Sequence, residues 1–224
     1  MAKKVSHGAR RQMTVRVKTA KQRSPSSAAW LARQLNDPYV AEARRLGYRS
    51  RAAFKLLELD DRFHVLKRGA KIVDLGAAPG GWTQVAAAKG AQIVAVDILA
   101  MESVPGAVVL ELDFMDDAAP GIIKSKLGGK VDVVLSDMAA PTTGHAATDH
   151  LRIVAMADAA HLFATEILAP GGSFLAKVFQ GGAAGELLTA LKRDFTTVRH
   201  AKPPASRSES AEVYVVAQGF KGRG

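Results

Sequence analysis

The stretch Val73-Asp74-Leu75-Gly76-Ala77-Ala78-Pro79-Gly80-Gly81-Trp82 decides the fold, because an apolar run meets a glycine-rich turn and then a helical pattern. The run from 71 to 75 predicts a buried strand, and the pattern from 82 to 89 predicts a helix. Glycines in such a turn let the backbone approach a ligand closely. The helix N-terminus behind them favours negative ligand groups. A tight strand-to-helix turn without a ligand is the alternative that this motif alone leaves open.

The same turn disfavours two common phosphate cradles. Ala78 stands where a G-x-G-x-x-G motif needs its second glycine, and no Gly-Lys-Ser/Thr follows. Both the dinucleotide fingerprint and the P-loop are therefore missing. A nicotinamide-dependent oxidoreductase remains only as a weak alternative.

Strand and helix patterns alternate along the rest of the chain. Strands are predicted over 92–97, 108–112, 131–136, 173–179 and 213–217, with a weaker one near Val198. Helices are predicted over 122–127, 149–168 and 186–193. This alternation predicts an α/β fold with a mainly parallel, seven-stranded sheet and helices on both faces.

Residues that would suit a ligand site fall at the predicted strand ends or just after them: Gly76, Asp97, Asp113, Asp137 and Lys177. In open parallel sheets, ligands bind beyond the carboxyl ends of the strands. A carboxylate at Asp97 suits both hydroxyls of a ribose, and one at Asp113 could reach an adenine amino group. Each acid alone would be interpreted as a solvated strand end, but together they predict a nucleoside-containing cofactor.

Positive charge is concentrated in the first quarter of the chain. Residues 1–55 hold 14 Lys and Arg against Asp37 and Glu42, whereas residues 56–224 hold 17 basic and 19 acidic residues. This asymmetry predicts a polyanionic partner, with nucleic acid first, an anionic membrane surface second and a merely solvated tail as the alternative. Residues 1–28 are expected to form a flexible RNA-binding arm, with a targeting peptide as the alternative. Residues 29–224 are expected to form one domain.

Between the arm and the first strand, a helical pattern from 30 to 46 is broken at Pro38, and a second helical pattern runs from 54 to 59. Ser50 is predicted to cap the second helix. Trp30 and Tyr39 are expected to pack against the body rather than stack on a base. A second basic cluster is expected to help hold RNA; it comprises Arg44, Arg45, Arg49 and Arg51.

Composition excludes several classes of protein. The chain has no cysteine, which rules out a disulfide scaffold, a zinc–cysteine site and a cysteine nucleophile. Its six histidines lack close metal-ligand spacing, so no metal is predicted. No run approaches the ~18–20 apolar residues of a membrane span, and no apolar segment suggests a secretory signal.

The glycine-rich motif resembles the cofactor motif of the FtsJ/RrmJ family of AdoMet-dependent ribose 2′-O-methyltransferases, which act on large-subunit ribosomal RNA. The similarity covers roughly residues 28–220 and includes the segments 49–56, 136–139, 168–174, 177–181, 202–203 and 212–214. The resemblance implies a Rossmann-like methyltransferase domain with S-adenosyl-L-methionine as cofactor. It assigns cofactor binding to Gly76, Pro79, Gly80, Gly81, Trp82, Asp97, Asp113 and Asp137.

The resemblance also implies a catalytic tetrad of Lys55, Asp137, Lys177 and Glu212. Glu209 is the rival for the last position, but Glu212 directly precedes the final strand. One departure concerns Ala139-Ala140-Pro141-Thr142, where better-known members have Ala-Pro-Asn. This departure bears on the substrate pocket and leaves the cofactor assignment untouched.

The tetrad suits methylation of a hydroxyl. A ribose 2′-hydroxyl is a poor nucleophile while protonated, so the enzyme must align it with the methyl donor and accept its proton. A lysine accepts a proton only when a neighbouring cation and burial bring its pKa towards neutrality. Lys177 would then be the base with Lys55 as that cation. If Asp137 outweighs both effects, Lys177 would instead steer the ribose and stabilise negative charge on its oxygen.

The resemblance implies a uridine in the A-loop of the 50S particle as substrate, and a monomer in the bacterial cytoplasm. A 2′-O-methyltransferase of tRNA or of an mRNA cap would use the same tetrad. A non-catalytic ribosome assembly factor on the same fold is disfavoured by the intact tetrad.

Overall fold

A computed structural model describes residues 15–139, 144–179 and 185–222. Its strands are β1 (Lys71–Leu75), β2 (Gln92–Asp97), β3 (Ala107–Glu111), β4 (Val131–Ser136), β5 (Leu168–Phe179), β6 (Phe195–Ala201) and β7 (Glu212–Phe220). Its helices are α1 (Pro25–Asn36), α2 (Pro38–Leu46), α3 (Ala52–Phe63), α4 (Gly81–Ala88), α5 (Ala119–Leu127), α6 (Ala146–Ile167) and α7 (Gly185–Asp194).

The strands form one seven-stranded sheet in the order β3-β2-β1-β4-β5-β7-β6. Neighbours from β3 to β5 are parallel, and β7 runs antiparallel to both β5 and β6. The reversal of β7 brings its first residue, Glu212, beside Phe179 near the carboxyl end of β5. The prediction of a mainly parallel seven-stranded α/β sheet is confirmed.

Alternating side chains of the buried strands give the sheet two apolar faces. Trp82 of α4 and Leu56 of α3 pack on one face, against residues such as Ile72. Helices α5, α6 and α7 cover the other face, where Phe163 packs in the cluster that contains Val73. Burial on both faces explains why these strands form nearly continuous apolar runs in the sequence.

Several element boundaries differ from the sequence predictions, and two of these differences reassign a segment of the chain. Strand β5 begins at Leu168, five residues early, because Leu168 pairs with Val131 before the register shifts at Val133. Helix α1 begins at Pro25, so the expected division at residue 28 falls inside a helix capped by Ser24. Val15 lies farther towards the N-terminus, and its backbone N–H and C=O groups both hydrogen-bond to the side chain of Asn36, at the end of α1.

Candidate active site

A pocket opens at the carboxyl ends of the central strands, where the glycine-rich turn joins β1 to α4. It is lined by Ser50, Ala52, Asp74, Gly76, Ala77, Ala78, Pro79, Gly81, Trp82 and Asp137. Five of the predicted cofactor residues therefore meet in one place. Another groove lies at the opposite edge of the sheet, around His64, Arg68 and Asp132, and contains none of the predicted site residues.

Glycines shape this turn. Gly80 has a φ of 105°, a conformation that side chains other than glycine rarely adopt, and it stands at the N-cap of α4. At Gly81 a Cβ atom would collide with Ser50 Oγ. The peptide bond between Ala78 and Pro79 is cis. The two glycines thus let the turn pack closely against Arg49 and Ser50 at the N-terminus of α4.

Asp97 and Asp113 hold the ends of β2 and β3 through local turns. Asp97 accepts hydrogen bonds from Ala78 N at 2.9 Å and Leu99 N at 2.8 Å, which joins it to the glycine-rich turn. Asp113 accepts one from Met115 N at 2.9 Å and is exposed. Both lie at the predicted edge of the sheet, but neither they nor Gly80 line the pocket itself.

Asp74 is the buried acid of the pocket. Its side chain is 1% exposed and accepts a hydrogen bond from Thr83 Oγ1 at 2.7 Å. Burial, helped by the nearby carboxylates of Asp137 and Asp97, raises the pKa of Asp74 to about 7. The protonation of this carboxyl therefore changes near neutral pH.

Ser50 has a role that the sequence analysis missed. Its predicted capping of α3 is wrong, because Arg51 occupies the N-cap and makes no side-chain cap. Ser50 Oγ is instead buried in the pocket wall with no hydrogen-bond partner among the described residues. A buried hydroxyl without a partner is costly, so this atom indicates a ligand that would complete its hydrogen bonding.

The four tetrad residues meet beside this pocket. Lys55 Nζ lies 2.7 Å from Glu212 Oε1 and 3.8 Å from Asp137 Oδ1. Lys177 Nζ donates to the backbone oxygen of Asp137 at 2.7 Å and to its Oδ1 at 3.1 Å. All four side chains are at least four-fifths buried. Strand β4 ends just before Asp137, β5 carries Lys177, α3 carries Lys55, and β7 starts at Glu212.

Asp137 is the centre of this charge network. Burial alone would raise the pKa of Asp137, but the Lys177 and Lys55 ammonium groups outweigh burial and hold the pKa below its ordinary value. The carboxylate therefore stays ionised and balances two cations.

Tyr214 is a further partner that the sequence analysis did not single out. Its hydroxyl donates to Asp137 Oδ1 at 2.6 Å, and its ring lies 5.6 Å from Lys55 Nζ. Burial and the carboxylates of Asp137 and Glu212 raise the pKa of Tyr214 well above its ordinary value. Tyr214 of β7 pairs with Lys177 of β5, so a prediction of the register between these two strands would have placed Tyr214 beside the tetrad.

The structure also separates the two glutamates considered for the last tetrad position. Glu209 is exposed, and the hydrogen bond that it accepts comes from the neighbouring Ser208. Glu212 is the glutamate that contacts Lys55.

The expected basic cluster does not form as a single surface. Arg49 donates to the backbone oxygens of Pro79, Glu102 and Ser103, and Arg51 lies inward against Asp37. Arg44 and Arg45 are exposed, and Arg45 pairs with Glu42.

The two aromatic residues of this region also differ from each other. Tyr39 packs with Phe54 and donates to Glu58, as expected. The expectation for Trp30 was wrong, because its side chain is 53% exposed.

Some sequence features lie outside the described residues. These are the first half of the basic arm (1–14), the segment at 140–143 where the motif departs from the family pattern, and 180–181 at the end of another motif. Among the residues that the structure does describe, no helix has the length and apolar character needed to cross a membrane.

The pocket fits AdoMet by the chemistry of its donors and acceptors. The Ser50 hydroxyl, which has no hydrogen-bond partner among the described residues, and the backbone of the glycine turn suit the polar methionine end. Asp97 lies outside the pocket lining but bonds the turn, and its carboxylate would suit a ribose. The sheet order, with an antiparallel β7 inserted between β5 and β6, carries this pocket next to a buried lysine–carboxylate cluster. Fold and site together define an AdoMet-dependent methyltransferase.

Comparison with known proteins agrees with this class. Residues 48–220 match the model of the FtsJ-like methyltransferase family. The chain belongs to the FtsJ-like methyltransferase family, which confirms the resemblance seen in the motifs.

Individual relatives give the same result. A protein of Paramagnetospirillum magneticum is 62% identical over 223 residues, covering 96% of this chain and 91% of that protein. One of Rhodospirillum rubrum is 61% identical over 219 residues, covering 95% and 83%. Both are named ribosomal RNA large subunit methyltransferase E. A crystal structure from Plasmodium falciparum, described as a ribosomal RNA methyltransferase, is 30% identical with a TM-score of 0.71, covering 79% of this chain and 100% of that one.

Proposed function

We propose that this methyltransferase transfers a methyl group from AdoMet to a ribose 2′-hydroxyl of large-subunit ribosomal RNA. The target is a uridine of the A-loop in the 50S particle, and the enzyme works as a monomer in the cytoplasm. The names of relatives about 60% identical over nearly the whole chain support the RNA class. The observation that carries the reaction is the buried tetrad beside the pocket, where Lys55 contacts Glu212 and Lys177 contacts Asp137.

AdoMet, when bound, supplies an electrophilic methyl group. The residues of this chain have to place a ribose oxygen in line with that group and handle its proton. Lys177 Nζ has two of its three donors engaged by Asp137, which leaves one for a substrate oxygen. In this proposal Lys177 orients the hydroxyl and stabilises the negative charge that develops on its oxygen. The hydroxyl proton is released to water as the oxygen takes up the methyl group. Glu212 holds Lys55 in place on the other side of Asp137.

The RNA would be held by the basic N-terminal region. Exposed basic side chains along the described part of this region are Arg16, Lys18, Lys21, Arg23, Arg33, Arg44 and Arg45, the last of which pairs with Glu42. Lysine and arginine contacts to phosphate give affinity without sequence readout, and this affinity falls steeply with salt. Residues 1–28, although α1 takes up the last four, form the arm in this proposal.

Trp30 gives this surface an optical probe. The chain has two tryptophans; Trp30 is 53% exposed and Trp82 is 3% exposed. If RNA covers α1, acrylamide will quench the fluorescence less in the presence of ribosomal RNA, and the protection will disappear at high salt. Trp30→Phe serves as the control, because it removes the accessible fluorophore and leaves Trp82. Unchanged quenching with RNA bound would place the RNA elsewhere.

Methyl transfer tests the proposed reaction. Labelled AdoMet is incubated with 50S particles from cells that lack this protein, with free ribosomal RNA and with tRNA. Wild type is compared with Lys177→Ala and with Lys126→Ala, an exposed lysine on α5. The proposal expects label at a 2′-O position of a 23S uridine in the particle, lost in Lys177→Ala and retained in Lys126→Ala. Label on tRNA alone would replace the substrate, and AdoMet binding without transfer would favour an assembly factor.

A further inference from the structure

The loop of residues 202–211 connects β6 to β7 and ends directly before Glu212. This loop is pinned by contacts that the methylation chemistry does not itself require. Lys202 Nζ donates to the backbone oxygens of Ser208 and Ser210, at 3.0 and 2.6 Å. Two turns close within the loop, where Ser206 N bonds Pro203 O and Ser210 N bonds Arg207 O.

Side chains on one face of α3, including its N-cap residue, contact the middle of this loop. Arg51, Lys55 and Glu58 are spaced i, i+4 and i+7, which places them on the same side of the helix. Arg51 donates to the backbone oxygen of Ala205, and Glu58 Oε2 accepts from Ala205 N at 2.7 Å. The backbone C=O and N–H groups of Ala205 are thus both hydrogen-bonded, by two side chains that precede and follow Lys55 on the same face.

Two residues at the start of α2 stabilise the side chains of Arg51 and Glu58. Asp37 pairs with Arg51 at 2.8 Å and with Arg207 at 3.3 Å, and Tyr39 donates to Glu58 at 3.1 Å. Ala205 is fully buried in an apolar cluster with Phe54 and Ala43. Buried polar networks of this kind fix one arrangement because each unmade bond is costly.

Ser206 follows Ala205 directly and connects these loop contacts to the tetrad. It is 6% exposed, and its Oγ donates to Glu212 Oε1 at 2.7 Å. The same carboxylate oxygen lies 2.7 Å from Lys55 Nζ. Two donors therefore converge on one oxygen, which fixes the direction of the Glu212 carboxylate.

We propose that Ser206, held by the contacts of Arg51 and Glu58 to Ala205, is a positioning residue that fixes Glu212 against Lys55 during methyl transfer. This inference rests on the proposed function of the tetrad. Ser206 does not line the pocket, and its hydroxyl donates to Glu212, so it acts through that carboxylate. Its hydroxyl keeps Glu212 Oε1 directed at Lys55, and Lys55 in turn stays beside Asp137.

The test is a double-mutant cycle of Ser206→Ala and Glu212→Ala, with kcat, AdoMet KM and AdoMet Kd measured for each protein. Ser206→Ala is expected to lower kcat about tenfold, the loss typical of a hydrogen bond to a charged group, and to leave AdoMet KM and Kd unchanged. Ser208→Ala is the matched control, because Ser208 lies in the same loop, is exposed and bonds to Glu209. It is expected to behave as wild type.

The double variant discriminates the mechanism. If Ser206 acts through Glu212, the double variant will have the kcat of Glu212→Ala alone. If the two losses multiply, or if Ser206→Ala weakens AdoMet binding as much as it lowers kcat, Ser206 has a general structural role and the inference is wrong. Wild-type kcat in Ser206→Ala with a strongly impaired Glu212→Ala also overturns it, but leaves the proposed function intact. A Glu212→Ala variant with wild-type kcat would instead contradict the proposed tetrad.

Discussion

The carboxylates of this site fall into two groups that are built differently. In the proposed function, Asp137 and Glu212 lie on the substrate side, and Asp97 and Asp113 on the cofactor side. The side chains of Asp137 and Glu212 are more than four-fifths buried, and each contacts a lysine across a long stretch of sequence. On the cofactor side, Asp97 and Asp113 lie at strand ends, and each accepts a hydrogen bond from the backbone N–H group two residues ahead. The first group needs the whole fold to exist, whereas the second is largely organised by its own turns.

This difference shows which side chains of the site the fold holds most rigidly. A catalytic set must be held close to its productive geometry by surrounding packing, and the tetrad is enclosed accordingly. Asp113 is exposed at the end of β3, which would suit a group that binds and releases a small molecule in each cycle. Loss of a substrate-side carboxylate should therefore affect turnover and folding, and loss of a cofactor-side carboxylate should affect affinity.

The largest expected effect comes from Asp137→Asn. This change removes the charge that Lys55 and Lys177 share, so methyl transfer should fall at least ~10³-fold and the free energy of unfolding by about 3 kcal/mol. Single-turnover assays and urea denaturation measure the two losses. Asp132→Asn is the control on the same strand, because Asp132 is exposed at its other end. Equal losses in both variants would remove the distinction drawn for Asp137.

Asp74 lies between the two groups, because both Asp137 and Asp97 contribute to its raised pKa of about 7. A carboxyl with a raised folded-state pKa stabilises the fold fully below its unfolded pKa, and the contribution is lost as pH rises through the folded pKa. Wild type should therefore lose about 4 kcal/mol relative to Asp74→Asn between pH 4 and 8. Urea denaturation across that range measures the difference. Parallel stability curves would show that Asp74 does not titrate as described.

The next effect compares two neighbouring glutamates. Glu212→Ala should lower kcat about 10²-fold, because Lys55 loses its 2.7 Å partner. Glu209→Ala should stay within about twofold of wild type, because an exposed side chain away from such features contributes little. Steady-state assays with saturating AdoMet measure both. The reverse order would give the tetrad position to Glu209.

The smallest effect is expected on the cofactor side. Asp97→Asn should weaken AdoMet binding about tenfold, the equivalent of one charged hydrogen bond, while kcat at saturation stays near wild type. Asp113→Asn should weaken it less, because Asp113 is exposed and does not bond the glycine turn. Calorimetric titration with AdoMet gives both constants. A large fall in kcat for Asp97→Asn would mean that the two groups of carboxylates are coupled.

The sequence was sufficient for features that depend on local pattern. The run at 71–75 and the glycines after it determine β1, the turn and the start of α4, and strand ends place Asp97, Asp113 and Asp137 at one edge. The roles of these residues and of the tetrad stay predictions, although the structure brings Lys55, Asp137, Lys177 and Glu212 together.

Features that depend on distant contacts could not be predicted from the sequence. Arg51 bonds to Ala205, which is 154 positions away, so its neighbours in the sequence do not indicate that its side chain faces inward while that of Arg44 is exposed. The Ser50 hydroxyl, without a hydrogen-bond partner among the described residues, and the early start of β5 likewise follow from tertiary packing. Local rules favoured Ser50 as a helix cap, and the burial of its side chain in the pocket wall overrode them.

The reversed direction of β7 has a practical consequence for handling this enzyme. Because β7 starts at the site with Glu212 and ends at Phe220, the following residue emerges at the opposite edge of the sheet, where Lys221 donates to the backbone oxygens of Lys192 and Arg193. A tag or surface tether joined beyond that point would face away from the pocket. The molecule can thus be immobilised for binding measurements with its reactive edge free to meet a particle as large as a ribosomal subunit.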